Sequence, residues 1–342
     1  MPSCVPLGDT LAAAFLTGSL LVGSLLVGCG RVVPHGGETS GGQTLNAARA
    51  RVKPHPLDPV ELMPGDLDVV LRLDLASIRD ALGQRATEEL LQRGIAEAGI
   101  DRDVARALGE AQIVWLGTRL ADWRAGDRVL VVDLKDRSLA RPSPDAWSPQ
   151  PSGVAGVSRY VATSPAPRGG TAELLDFEHA RAFVSPVEAA SVRRVLARGP
   201  DPRRGDPEAR GLLSIDARLE RASGTWLRER PSIGTLLRGI ERVEAVLEVH
   251  SRELAVAARL RCRTERSAER VARFLLAFHE AGAERAQLSA LLGKLTVERR
   301  DRSVTVRWPI PAAVLFDLMQ DHAVAPDAPI SSQRALDSDP TR

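Results

Sequence analysis

Residues 243–262 read VEAVLEVHSRELAVAARLRC, which are two runs of alternating apolar residues that meet at residues 250–253. Folding the runs antiparallel about Ser251 and Arg252 puts the apolar residues on one side, because successive side chains of a strand point to opposite faces. The predicted pairs are Val249 with Leu254, Leu247 with Val256, Ala245 with Ala258, and Val243 with Leu260. A slip of one residue would expose one apolar set, so we expect this register to be fixed.

The polar side of the same hairpin carries charge. Glu244 lies opposite Arg259 in the predicted register, an opposite-charge pair that contributes roughly 0.2–1 kcal/mol. Arg259, Arg261 and Arg263 then form an outward row. Such a row is either a surface for an anionic ligand or partner, or a solvated face of a sheet, and the solvated face is the simpler interpretation.

The pattern on either side of the hairpin predicts an α+β fold. Both halves of the chain read as strand, helix, two strands, a connection, two further strands and a helix, with a Pro-rich connection in the first half and a helix in the second. The pattern predicts one helix over residues 78–98, a long helix capped by Thr264, and a final helix from Ala312. Residues 212–216 form a strand that ends in Asp216, as residues 70–74 end in Asp74. We therefore predict two similar lobes from a diverged internal duplication, with antiparallel sheets packed against helices.

Composition indicates a globular protein. The 342 residues are 44% hydrophobic and 26% charged, which is ordinary for a folded chain. The formal net charge of +2 is too small to indicate a nucleic-acid partner, and basic and acidic residues are interleaved along the chain. We predict no nucleic-acid binding.

The N-terminal region reads as an export signal. Residues 11–28 contain no charged side chain, which suits a signal-peptide core or a short membrane-spanning helix. The sequence Leu26-Val27-Gly28-Cys29 resembles the lipobox of bacterial lipoproteins. The resemblance implies cleavage before Cys29, a lipid on its thiol, and a body outside the cytoplasm in the cell envelope. The ten residues before the run lack Lys and Arg, so an uncleaved anchor helix is the alternative.

This reading divides the chain into five parts. Residues 1–28 are the signal peptide, and residues 29–65 form a flexible tether, because their Gly and Pro content resists packing. Residues 66–200 and 205–320 form the two lobes, and residues 321–342 form a disordered tail.

The stretch from residue 69 to 79 places Asp74 at the end of a strand and Arg79 in the start of a helix. It resembles the opening of uncharacterised exported proteins of high-GC bacteria, a likeness that implies no particular function. We expect Asp74 and Asp216 to cap the helices that follow them. The alternative is that the two carboxylates face each other as an acid–base pair.

Cysteine usage agrees with export. Cleavage would remove Cys4 and lipidation would use Cys29, which leaves Cys262 alone. Cys262 occupies an alternating apolar position, so we predict a buried and inert thiol.

Motifs for common chemistry are not found in the sequence. It contains no G-x-G-x-x-G, no G-x-x-x-x-G-K-[ST], no G-x-S-x-G and no H-E-x-x-H. His179 beside Glu178 and His279 beside Glu280 could support acid–base chemistry or ligate a metal, but exposed turn or helix-end positions explain them as well. We predict no catalytic residues, no metal site and no cofactor.

Three classes of function remain. The first is a non-catalytic binding or scaffold lipoprotein, anchored to the membrane and with an envelope protein as a candidate partner. It predicts an exposed apolar patch on one lobe and no convergence of polar groups in a cleft. The second is a carrier of an apolar ligand such as a lipid, which requires a large apolar cavity. The third is an extracytoplasmic hydrolase, which requires titratable groups converging in a pocket. We rank them in that order.

Overall fold

The computed structural model of the chain describes residues 57–98, 102–120, 127–134, 141–166, 169–221, 231–250, 253–283, 289 and 292–311. The first half contains seven strands and four helices in this part of the chain: β1 (Val69–Asp74), α1 (Leu75–Leu82), α2 (Gln84–Ala98), α3 (Arg102–Glu110), β2 (Ala111–Thr118), β3 (Arg128–Leu134), β4 (Trp147–Gln150), β5 (Ser158–Ala162), β6 (Glu173–Asp176), β7 (Ala180–Val184) and α4 (Ala189–Arg198). The second half contains, in order, β8 (Leu213–Arg218), α5 (Pro231–Leu237), β9 (Ile240–His250), β10 (Glu253–Cys262), α6 (Glu265–Ala283), β11 (Thr296–Arg300) and β12 (Ser303–Pro311). The final helix expected from Ala312 lies outside the described residues.

Three elements of the first half differ from the sequence pattern. The first is α3, a helix where the pattern indicated none. The single helix expected over residues 78–98 is divided at Gly83, whose φ of 86° ends α1. The Pro-rich connection contains a strand, β4, that the pattern did not indicate. Its Trp147 is buried, and Pro149 is tolerated because β4 lies at the edge of the sheet.

All twelve strands belong to one antiparallel sheet, in the order β11-β12-β10-β9-β8-β1-β2-β3-β7-β6-β5-β4. The expected α+β class is confirmed, but the expected division into separate sheets is wrong. β1 and β8 pair antiparallel along five residues and join the two halves. This pairing satisfies backbone groups that two separate sheets would leave exposed at their edges.

The predicted register of the β9–β10 hairpin is confirmed. The structure pairs Leu254 with Val249, Val256 with Leu247, Ala258 with Ala245, and Leu260 with Val243. It also places Arg259 opposite Glu244. The apolar side packs into the core over most of its length, while Val249 near the turn is 41% exposed.

One face of the sheet, here called the helical face, is covered by helices in both halves. In the first half α1 and α3 pack on it through a cluster that includes Leu75, Val104 and Leu108. In the second half α6 packs on it through residues such as Val271 and Leu275. The apolar side of the β9–β10 hairpin belongs to this face.

The other face, here called the opposite face, is covered only in part among the described residues. In the first half α4 and the 3-10 turn Pro59–Leu62 pack on it. Leu62 and Met63 are fully buried there. Residues 57–65, which the sequence pattern placed in the flexible tether, are therefore part of the folded body.

The segment from residue 199 to 212 crosses the centre of the opposite face. The backbone N–H of Asp206 donates to the Asp216 carboxylate at 3.0 Å, and the Ser214 hydroxyl donates to the Glu208 carbonyl at 2.6 Å. Gly205 lies against Val70 so closely that a Cβ there would be 2.6 Å from its side chain. The segment therefore shields β1 and β8, and the opposite face beyond them is exposed at β10, β11 and β12.

Candidate functional site

A shallow groove of about 680 Å³ lies on the exposed part of the opposite face. We call this surface the arginine face. Six arginines and three carboxylates line the groove together with two hydroxyl residues, namely Arg242, Arg259, Arg261, Arg300, Arg302, Arg307, Glu244, Glu298, Asp301, Ser303 and Thr305. The lining thus carries a formal charge of +3.

Sheet register explains why these side chains converge. Arg261 lies opposite Arg242 on β9 and opposite Ser303 on β12, and Ser303 lies opposite Arg300 on β11. Because directly paired residues of antiparallel strands share a face and neighbouring strands are about 4.8 Å apart, these four residues form one continuous row. Ser303 therefore has an arginine on each side.

The next row along the strands is of mixed charge. It runs from Glu244 through Arg259 and Thr305 to Glu298. Arg302 lies beside the first row, in the two-residue turn that joins β11 to β12. Positive charge is thus concentrated at the end of the face where that turn lies.

Within the described part of the chain, two of the six arginines of this face pair with carboxylates. Arg261 lies 3.6 Å from a Glu241 carboxylate oxygen. Arg242 donates to both carboxylate oxygens of the buried Asp216, at 2.8 and 3.0 Å, and this hydrogen bonding raises the pKa of Arg242. Arg242 also pairs with Glu244 at 3.2 Å, so the cross-strand ion pair expected between Glu244 and Arg259 does not form.

Among the described residues, four guanidinium groups of the arginine face form no ion pair or hydrogen bond, those of Arg259, Arg300, Arg302 and Arg307. All four side chains are exposed. Unpaired exposed arginines that share a face create a positive potential that attracts anions.

Charged groups in the first half are used differently. Glu188 is fully buried and accepts two hydrogen bonds from Arg119, at 2.7 and 3.0 Å. Glu173 is also buried and accepts two from Arg159, at 2.8 and 3.0 Å. These carboxylates are neutralised inside the protein, so these pairs serve the fold.

The two aspartates at the ends of matching strands have different roles. Asp74 caps α1, accepting from the backbone N–H of Ser77 at 2.8 Å, as expected. Asp216 does not cap a helix. Asp216 lies within β8, opposite Val70 of β1. Val70 precedes Asp74 by four residues, so the two aspartates are about 14 Å apart along the strands at 3.4 Å per residue. The two carboxylates therefore do not meet as an acid–base pair.

The remaining sequence candidates lie apart from the arginine face. Cys262 is fully buried, and burial raises the pKa of its thiol, so its thiolate fraction is low. His179 is exposed beside the β6–β7 turn, and His279 lies in α6. Cys29 lies outside the described residues. Within the described ranges, no group of three or more His, Cys, Asp or Glu side chains is placed to hold a metal ion.

The expectation that a binding protein of this kind would have no convergence of polar groups in a cleft is wrong, because the groove is lined by charged and hydroxyl side chains. The sequence analysis found only part of the arginine face. It identified Arg259 and Arg261, and it included Arg263, whose guanidinium instead donates to the Glu220 carbonyl. It missed the contribution of β11 and β12. The signal was present as a polar residue at every second position, at 296, 298 and 300 and again at 303, 305 and 307.

No protein-family model matches the chain, and no curated protein matches it. Solved structures of TP0453 are similar to this chain in a comparison of backbone structures. Crystal form I has a TM-score of 0.47 and 13% identity, and the match covers 78% of this chain and 97% of that one. Crystal form III has a TM-score of 0.41 and 13% identity, over 78% of this chain and 98% of that one. A likeness at this level carries no functional argument.

The helices of the described part bear on whether the chain crosses a membrane. Across these ranges, none has the length and apolar character that a bilayer crossing requires.

Proposed function

We propose that this protein is a lipid-anchored, non-catalytic binding protein of the bacterial cell envelope, and that its arginine face binds an anionic partner. The observation that carries the binding role is the exposed sheet face on which Arg259, Arg300, Arg302 and Arg307 have no partner among the described residues. A face that served only as a solvated surface would gain stability from cross-strand ion pairs. Here unpaired positive charges accumulate instead.

The other two classes of function have less support. A carrier of an apolar ligand needs an apolar cavity, whereas the groove of the arginine face is lined mainly by charged and hydroxyl side chains. A hydrolase needs a nucleophile beside a base. Of the two hydroxyl residues in the groove, Ser303 lies between two arginines, which cannot act as bases because they remain protonated. Thr305 lies opposite Glu298, which is exposed to solvent.

Binding of a polyanion tests the proposal. The face variant replaces Arg259, Arg300 and Arg307 by glutamine, which keeps a long polar side chain and removes the charge. The control variant replaces Arg102, Arg106 and Arg266 by glutamine. These three are exposed on α3 and α6, so both variants lose the same net charge.

The salt concentration that elutes each full-length protein from immobilised heparin is measured in detergent. We expect the face variant to elute at clearly lower salt, since each lost contact reduces the number of counterions released on binding. The control variant should elute close to the unmodified protein. Equal elution of the two variants would show that only net charge matters and would refute a dedicated surface.

The lipid anchor is proposed from the resemblance at residues 26–29. The mature protein should begin at Cys29 and partition into detergent, and Cys29→Ala should stop processing. Mass spectrometry of the N-terminal peptide checks both. If the variant is still cut after Gly28 and remains membrane-bound, the lipid anchor is wrong.

We also propose that the two halves arose by duplication. Strand order supports this: moving outward from the central pair, β1, β2, β3, β7 and β6 correspond to β8, β9, β10, β12 and β11. The β4–β5 hairpin would then be an insertion. Separately expressed halves that assemble into the native sheet would support this origin.

A further inference from the structure

We infer that the partner of the arginine face is the anionic headgroup surface of a phospholipid membrane, so that the body docks flat on the bilayer that holds its anchor. This inference rests on the proposed function and names its partner. Three observations support it: the chemistry of the face, its lack of apolar anchors, and the length of chain that joins it to Cys29.

Arginine and hydroxyl side chains are suited to phosphate. A guanidinium presents a planar set of donors that matches phosphate oxygens, and a hydroxyl adds one further donor. Arg261, Ser303 and Arg300 lie next to one another on adjacent strands, with Arg302 in the neighbouring turn. A phosphate over Ser303 would therefore be within reach of three guanidinium groups, of which that of Arg261 also pairs with Glu241.

The face lacks the groups that fix a protein partner. Binding energy between proteins is concentrated in buried aromatic and large apolar anchors near the centre of an interface. The groove residues include no aromatic and no aliphatic side chain. A membrane surface needs no such anchor, because basic residues near anionic headgroups each contribute on the order of fivefold to binding.

The chain between Cys29 and the body is long enough for docking. Leu57, the first described residue, follows Cys29 by 28 residues, which span at most about 95 Å when fully extended. A folded body of about 255 residues has a radius of gyration of roughly 18 Å. An anchor at Cys29 therefore does not prevent the arginine face from reaching the membrane.

Vesicle binding by the full-length chain tests this inference. Vesicles of neutral phosphatidylcholine are compared with vesicles that contain one third phosphatidylglycerol. The N-terminal apolar segment or lipid contributes to binding of both vesicles, so the ratio of the two affinities reports headgroup charge. We expect the ratio of affinities to fall at least tenfold in the face variant, and up to about 100-fold because three arginines are removed. The control variant should keep the ratio of the unmodified protein.

Amide hydrogen exchange gives the location. In the unmodified protein, anionic vesicles should protect residues 296–307 of the edge strand β11 and its neighbour β12, and neutral vesicles should not. Circular dichroism and thermal unfolding establish that both variants are folded.

Each outcome decides the inference. Loss of the ratio in the face variant alone, with protection of β11 and β12, supports membrane docking. Equal loss in both variants, or protection elsewhere, overturns it. If heparin elution depends on the face but anionic vesicles give no preference, the membrane is not the partner, and an acidic protein partner is the remaining reading of the proposed function.

Discussion

The buried ion pair between Arg119 and Glu188 gives the most decisive test of how the first half is held together. Glu188 is fully buried at the start of α4, and Arg119 follows β2 and is 24% exposed. Arg119 also pairs with Asp66 at 2.9 Å. These contacts fix α4 to the opposite face of the sheet.

Replacing Arg119 with methionine keeps an unbranched apolar stem, removes the guanidinium group and leaves the buried Glu188 carboxylate without its cation. Breaking a buried pair in this way costs about 3–5 kcal/mol. Because Arg119 is partly exposed, we expect the lower value, about 3 kcal/mol. For a body of this size, that loss lowers Tm by about 6–12 °C.

Urea unfolding followed by circular dichroism measures the free energy of unfolding. The control is Arg85→Met, which removes an exposed i,i+4 pair with Glu89 at 3.1 Å and should cost less than about 0.5 kcal/mol. The double variant Arg119→Met with Glu188→Met should recover at least half of the loss, since no buried charge is left unpaired. A cost below about 1 kcal/mol for Arg119→Met, or no recovery in the double variant, would refute this account.

Three further predictions concern single positions. Gly211 has a φ of 76°, and a Cβ there would lie 2.5 Å from the Leu247 carbonyl oxygen, whereas Gly153 has a φ of 77° and nothing within 4 Å. Gly211→Ala should therefore lower the free energy of unfolding in urea by at least about 1 kcal/mol more than Gly153→Ala does. Equal losses would contradict the close contact. Burial raises the pKa of Asp133 in the folded protein, so its charged form destabilises the fold. Asp133→Asn should therefore raise the free energy of unfolding at pH 7, and this gain should vanish as the pH falls to about 4, the pKa of the unfolded state. A gain that is constant with pH would be evidence against this cause. Cys262 is fully buried with a raised thiol pKa, so its reaction with a thiol reagent at pH 8 should be at least about 100-fold slower than in urea, and a fast reaction in the native protein would show that the thiol is accessible.

Local sequence patterns were sufficient wherever neighbouring parts of the chain interact. The alternation in residues 243–262 predicted the β9–β10 register residue by residue, because one short turn limits the pairing and one face must be apolar. Thr264 was likewise recognisable as the cap of α6, where its hydroxyl accepts from the Ser267 backbone at 3.1 Å. Asp74 caps α1 in the same way.

Only part of the candidate site could be predicted from the sequence, because local patterns do not show which strands become neighbours. The two arginines on β10 follow from alternation within one strand, but their neighbours across the groove come from β11 and β12, which follow α6 in the chain. Alternation tells which residues of a strand share a face. It does not tell which strand lies beside it.

The sequence by itself thus determined the α+β class, the position of most strands and helices, the hairpin register and the polar side of β10. The tertiary structure decided the β1–β8 pairing that makes one sheet of both halves, the packing of Leu62 and Met63 into the core, and the contact of Asp216 with Arg242 rather than with a helix end. Each of these joins residues separated by other elements, and such contacts depend on which sheet edges and apolar faces remain free after local structure has formed.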